Sequence, residues 1–119
     1  MEESEKWMAK ATSDLATARY NLEGDMLDAA LFYSQQAAEK ALKSLIIQSK
    51  NDFPKIHDVV RLAKLVRAPQ NIVILCSIIN PAYILSRYPD QPSRYTRAEA
   101  AAIVKNSEEV VAWAKKKKQ

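Results

Sequence analysis

The sequence predicts an all-α fold: an up-and-down antiparallel helical bundle of four long helices plus one short helix. Three observations predict it. Apolar residues recur at three- and four-residue steps through most of the chain. One glycine among 119 residues leaves almost no material for tight hairpins. The composition is dominated by helix formers, with Ala, Leu, Lys, Glu and Gln prominent.

Each element has its own signals. The first helix is predicted from about Ser4, a candidate N-cap, to Glu23, with Trp7, Ala11, Leu15, Ala18 and Leu22 on one face. Gly24 is expected to end it in the left-handed C′ role. The second helix follows from about Asp25 to Ser49. Its face of Leu27, Ala30, Leu31, Ala38, Ala41 and Leu45 is rich in alanine, which allows a neighbouring helix to approach closely. Gln36, Glu39, Lys40 and Lys43 form a polar stripe on the other side. That stripe reads either as a solvated face with a Glu39–Lys43 pair or as a surface turned to a cleft or partner.

Asn51, Asp52 and Pro54 mark a connector. A short third helix is predicted from about His57 to Arg67, closed by Pro69. The fourth starts near Gln70 and is the most apolar, which places it at the centre of the bundle. Pro81 either kinks it or opens a new turn capped by Asn80. The last helix opens with the capping box Thr96-x-x-Glu99 and runs into Lys115–Lys118. No repeat or linker interrupts residues 1–119, which read as a single domain.

Charge and composition exclude several function classes. The net charge of +4 equals the contribution of the four lysines 115–118, and the remaining 14 basic residues balance 14 acidic ones. A broad basic surface for nucleic acid is therefore not expected. The lysine end reads as a solvated terminus that complements the helix macrodipole. One cysteine, Cys76, permits no internal disulfide and reads as a small core residue, consistent with a reducing, cytoplasmic setting. Met1–Trp7 lacks the apolar run of a secretory signal, and Ile72–Ile79 is too short to span a bilayer. With one histidine and no cysteine pair, neither a metal site nor any cofactor is expected.

Two places remain for chemistry besides the stripe. His57 stands at the start of the third helix, either as a helix-end residue bonded to the backbone or as a functional imidazole. Arg87, Tyr88 and Asp90 form a polar, aromatic-bearing break after the fourth helix. They read either as a structural lock on the helix end or as an anion site. In the second reading Arg87 offers a planar fork to phosphate and Tyr88 a stacking face.

In order along the chain, these residues resemble the HEPN family (higher eukaryotes and prokaryotes nucleotide-binding). Trp7 to Leu15 looks like the family's opening helix. Phe32-Tyr33-Ser34-Gln35-Gln36-Ala37-Ala38-Glu39-Lys40-Ala41-Leu42-Lys43 is similar to its most specific helix. Lys55-Ile56-His57-Asp58 resembles its His-Asp turn, Ser86-Arg87-Tyr88-Pro89-Asp90 the segment after its fourth helix, and Tyr95 the residue before its last. The resemblance implies a helical bundle, a homodimer, and pairing with a minimal nucleotidyltransferase in two-gene, toxin–antitoxin-like modules. Many relatives are metal-independent ribonucleases with an Arg followed four to six residues later by His. Here Arg87 is followed by Tyr88-Pro89-Asp90-Gln91-Pro92-Ser93-Arg94, with no His. Asp90 is poorly matched to serve as a base at neutral pH.

The expected function is accordingly a nucleotide-binding or nucleotidyltransferase-partner subunit rather than an enzyme. Gln36, Lys40, Lys43, Arg87, Tyr88 and Asp90 are its candidate binding residues. The alternatives are a dimeric ribonuclease using Arg87 and His57, acting on RNA, and a non-catalytic dimeric scaffold. No membrane partner is expected.

Overall fold

The computed structural model describes residues 2–50, 55–86 and 95–119, with side chains in the middle stretch described as far as residue 82. Five helices account for nearly all of it: α1 (Glu3–Glu23), α2 (Leu27–Lys50), α3 (Val59–Leu65), α4 (Gln70–Ser86) and α5 (Arg97–Lys118). No strand occurs among the described residues. The all-α, helical-bundle class follows from the periodicity, as expected.

α2 is the axis of the bundle and touches every other helix. α1 lies antiparallel to it. The two meet through Met8, Ala11, Leu15, Ala37, Ala41 and Leu45, where the alanines are fully buried and let the backbones approach. α5 runs in the same direction as α2. Arg97 sits beside Asp25 at one end, the Ser107 hydroxyl donates to the Ser34 carbonyl at 2.6 Å midway, and Gln48 donates to the Lys118 carbonyl at the other end. α3 and α4 close the opposite side over Leu31, Leu42, Ile46, Val59, Leu62, Cys76 and Ile79.

This arrangement corrects the expectation that α4 is central. Ile72, Cys76, Ile79 and Ala82 are buried, but Ile74 and Ile78 are 49% and 45% exposed. α4 is the most apolar helix because both of its faces carry apolar residues, not because it is surrounded. Pro81 lies inside the continuous helix on its exposed side, so neither a new turn nor a fresh cap forms there.

Several caps also differ. Ser4 is not the N-cap of α1. Glu2 takes that position without a side-chain cap, and Ser4 is buried within the first turn, its carbonyl accepting from the Ser44 hydroxyl at 2.7 Å. Gly24 ends α1 with an ordinary φ of −85°, and the left-handed residue is Asp25 at φ 59°. The Met26 N–H bonds the Asn21 carbonyl and the Asp25 N–H the Leu22 carbonyl, a Schellman closure shifted one residue beyond the glycine. α2 therefore starts at Leu27 rather than Asp25.

α3 starts at Val59, because Asp58 is its N-cap and accepts from the N–H groups of Val60 (2.9 Å) and Arg61 (3.3 Å). It ends in the same closure as α1, with Arg67 at φ 56°. α5 carries the expected capping box in full, with Thr96 and Glu99 bonding reciprocally. Among the described residues, no helix is long and apolar enough to cross a membrane.

Candidate functional site

The polar stripe of α2 is not a solvated face. Gln35, Glu39 and Lys43 stand at successive i, i+4 steps and are all buried. One Glu39 carboxylate oxygen accepts from Gln35 Nε2 at 3.1 Å. The other accepts from Lys43 Nζ at 3.0 Å and faces His57 Nδ1 at 3.1 Å. Lys43 Nζ also lies 5.8 Å from the centre of the Trp7 ring. Gln35 Nε2 makes a second bond, to the His57 carbonyl at 2.9 Å, which holds the backbone of the turn as well as its ring.

The network continues towards α1. Gln36 donates to Gln35 Oε1 at 2.9 Å and accepts from Lys40 at 3.3 Å. Lys40 pairs with the buried Asp14, whose other oxygen lies 3.4 Å from Lys10 Nζ. No buried side-chain nitrogen or oxygen among the described residues lacks a partner. Charges carried into a helical interface cost several kcal/mol each in lost hydration, and only full pairing offsets this. These residues are therefore held in one arrangement rather than sampling many.

At the Glu39 end the network faces outward through His57, whose side chain is 69% exposed against 6% for Glu39. Glu39 is an acceptor, so the contact requires the proton of the neutral ring on Nδ1. Nε2 is then the ring's acceptor, on the solvent side. A carboxylate behind Nδ1 fixes the tautomer and the ring orientation. Such an arrangement can accept a proton at Nε2 and, once protonated there, donate it to a reacting group or a phosphate oxygen.

The turn bearing His57 is pinned from the other side by Asn80. Asn80 Oδ1 accepts from the Val59 N–H at 3.1 Å, and its Nδ2 donates to Asp58 at 2.7 Å. Partial burial alone would raise the Asp58 pKa. The Asn80 side chain, the N–H groups of Arg61 and Val60, and the Arg61 charge outweigh it, and the net shift is downwards. Cys76, packed beneath this turn, is pushed up to about 12 by burial, with a smaller contribution from the Asp58 charge, and is no nucleophile.

His57 and Glu39 are thus brought together, and Lys43 stands behind Glu39. Lys40 and Gln36 belong to the α1-facing half of the same network. Arg87, Tyr88 and Asp90 lie outside the described residues. Sequence reasoning alone misses Gln35, Asp14 and Asn80. The i, i+4, i+8 run of Gln35, Glu39 and Lys43 inside an apolar helix is the available signal for the first. No group of three or more His, Cys, Asp or Glu side chains suited to a metal occurs among the described residues.

The HEPN domain model matches residues 4–118, nearly the whole chain. The protein belongs to the HEPN family. Solved structures agree with this HEPN assignment along the full length. A protein from Thermus thermophilus is 28% identical, with a TM-score of 0.87 and coverage of 98% of this chain and 99% of its own. An archaeal HEPN homologue is 30% identical, with a TM-score of 0.82 and complete coverage of both chains, 100% each. An HEPN domain protein from Thermotoga maritima is 26% identical, with a TM-score of 0.77, covering 93% of this chain and 95% of that one. No curated protein matches the sequence.

Proposed function

We propose that this HEPN protein is a cytoplasmic nucleotide-binding subunit that works with a minimal nucleotidyltransferase in a toxin–antitoxin-like pair. His57 is its ligand-facing group. The observation that carries this reading is the exposed imidazole backed by the buried Glu39 carboxylate at 3.1 Å, on a turn pinned by Gln35 and Asn80. A buried ionic network is a weak source of stability, and this one holds an outward-facing imidazole in place. The ring, once protonated at Nε2, would donate from there to a phosphate oxygen, with Arg87 and Tyr88 as the partners expected from sequence. Lys40 and Lys43 act through the network, because their ammonium groups already pair with Asp14 and Glu39.

Calorimetric titration of ATP, GTP and their monophosphates into wild type, His57→Ala and Arg87→Ala tests the reading. Saturable binding weakened about tenfold or more by His57→Ala, with the fold retained, is expected. Equal binding by both variants and wild type would refute it.

One observation favours a second reading, metal-independent ribonuclease activity. The Glu39–His57 contact orients an imidazole as acid–base catalysis requires. RNA cleavage in EDTA that disappears in His57→Ala would establish it, and intact RNA across several substrates would exclude it. In either reading we propose a homodimer. Ile74 and Ile78, one turn apart and half-exposed on α4, support an apolar contact there. Sedimentation velocity of wild type against Ile74→Glu tests it, with a monomeric variant expected.

A further inference from the structure

A cavity of about 600 Å³ opens at the other end of α3, where the C-terminal ends of α2, α3 and α5 converge. Leu45, Ile46 and Leu65 give it an apolar floor, and Lys50, Arg67 and Lys117 supply three cations. Among the described residues, no carboxylate lines it. It is separate from the His57 site: Glu39 and Gln48, nine residues apart on α2, are roughly 13 Å apart along the helix axis.

Basic residues at helix C-termini commonly do no more than complement the macrodipole. Two features here go further. Leu65 is 50% exposed, an apolar side chain spent on the cavity wall rather than the core. Arg67 occupies left-handed backbone at φ 56°, a conformation that glycine or asparagine adopts with less strain. The α3 closure does not need an arginine there. It is made by backbone alone, the Arg67 N–H to the Lys64 carbonyl at 3.1 Å and the Ala68 N–H to the Ala63 carbonyl at 2.9 Å. A strained residue whose side chain the local fold does not require is a mark of selection for something else.

We propose that this cavity is a second ligand site, for a small organic phosphate. The apolar or aromatic body lies on Leu65 and Ile46, and the phosphate dianion sits among Lys50, Arg67 and Lys117. The volume lies within the range of small-molecule sites, which pair an apolar lining with a few placed polar groups. Three cations suit a dianion better than a monoanion, and the Arg67 fork suits phosphate oxygens.

Amide-detected NMR titration of the whole protein with phenyl phosphate, inorganic phosphate and phenol tests the proposal. Phenyl phosphate should saturably shift the amides of residues 45–50 and 65–68, binding at least about tenfold more tightly than phosphate or phenol alone. Arg67→Gly relieves the backbone and removes one cation. It should melt at the same temperature or higher, yet bind phenyl phosphate about tenfold more weakly. Lys117→Gln should bind several-fold more weakly without loss of fold, and His57→Ala should bind as wild type. Saturation absent up to about 10 mM, shifts centred on His57 and Asn80, equal binding of phenol, or undiminished affinity in Arg67→Gly would each overturn the proposal. Because His57→Ala is silent in this assay, failure here leaves the nucleotide reading of the His57 site to its own test.

Discussion

Replacing Glu39 with glutamine removes one charge from the centre of the network while keeping its shape. The side chains of Glu39 and Lys43 are 6% and 5% exposed, so Lys43 would be left buried as an uncompensated cation. Removing one partner of such a pair costs about 3–5 kcal/mol. The glutamine carbonyl can still accept from Lys43 and Gln35, which places the expected loss near the lower end, about 3 kcal/mol. For a chain of this length that lowers Tm by roughly 10 °C. Urea unfolding followed by circular dichroism at 222 nm measures it, with an unchanged m-value expected.

Two controls separate burial from charge. Lys6→Ala breaks the Lys6–Glu3 pair, where both side chains are more than half exposed, and should cost under about 0.5 kcal/mol. Glu39→Met combined with Lys43→Met removes both charges and should recover most of the single-variant loss. The same double variant frees His57 from its carboxylate, so the imidazole nitrogen shifts should move away from a fixed Nδ1–H tautomer. A Glu39→Gln cost below about 1 kcal/mol would refute the argument that this pair is buried and rigid.

Three further outcomes are expected. Gly24→Ala should stabilise the protein by about 0.5–1 kcal/mol, since Gly24 has φ −85° and an added Cβ meets only ordinary contacts at 3.8 Å; thermal melts check this, and destabilisation would mean that the glycine's freedom is required. Asn80→Ala should cost about 1–2 kcal/mol at neutral pH by removing two hydrogen bonds at the His57 turn. Because the folded pKa of Asp58 is depressed, its contribution is present above the ordinary carboxylate pKa and is lost as pH falls through the folded value; Asn80→Ala should therefore show a shallower acid-side decline in urea titrations between about pH 5 and 2. Cys76, buried and pushed up to about 12, should resist thiol reagents in the native protein and react on unfolding.

Periodicity and caps make the helices legible. The Thr96–Glu99 box and the alanine-rich α1–α2 contact need only local sequence and volume. Details that depend on tertiary geometry are not legible. Glycine is the usual left-handed residue at a helix end, yet Asp25 takes that place, beside Arg97 at 2.8 Å across the turn. A proline after Asn80 signals a break, yet the helix continues because Pro81 is on the exposed side and Asn80 is engaged by the α3 turn.

The site is half legible. His57 stands out as the one histidine, but its partner does not, since charged residues are ordinarily assigned to water. Tertiary packing encloses Glu39 and Lys43, with Trp7 of α1 against Lys43 and the 55–58 turn against Glu39. Lys118 shows the same effect. A terminal lysine reads as solvated, but its ammonium donates to the Ser4 and Ser44 hydroxyls at 2.7 and 3.3 Å.

That clasp has a topological consequence. Residues 114 apart in sequence are held side by side at one end of the bundle. A linker of about five residues, reaching roughly 17 Å, is long enough to join the two ends, and the chain can be reopened elsewhere. A circular permutant cut at the Gly24–Met26 turn would keep every helix whole while making the α1–α5 contact local in sequence. It should fold to the same bundle and do so faster, because the longest loop would already be closed.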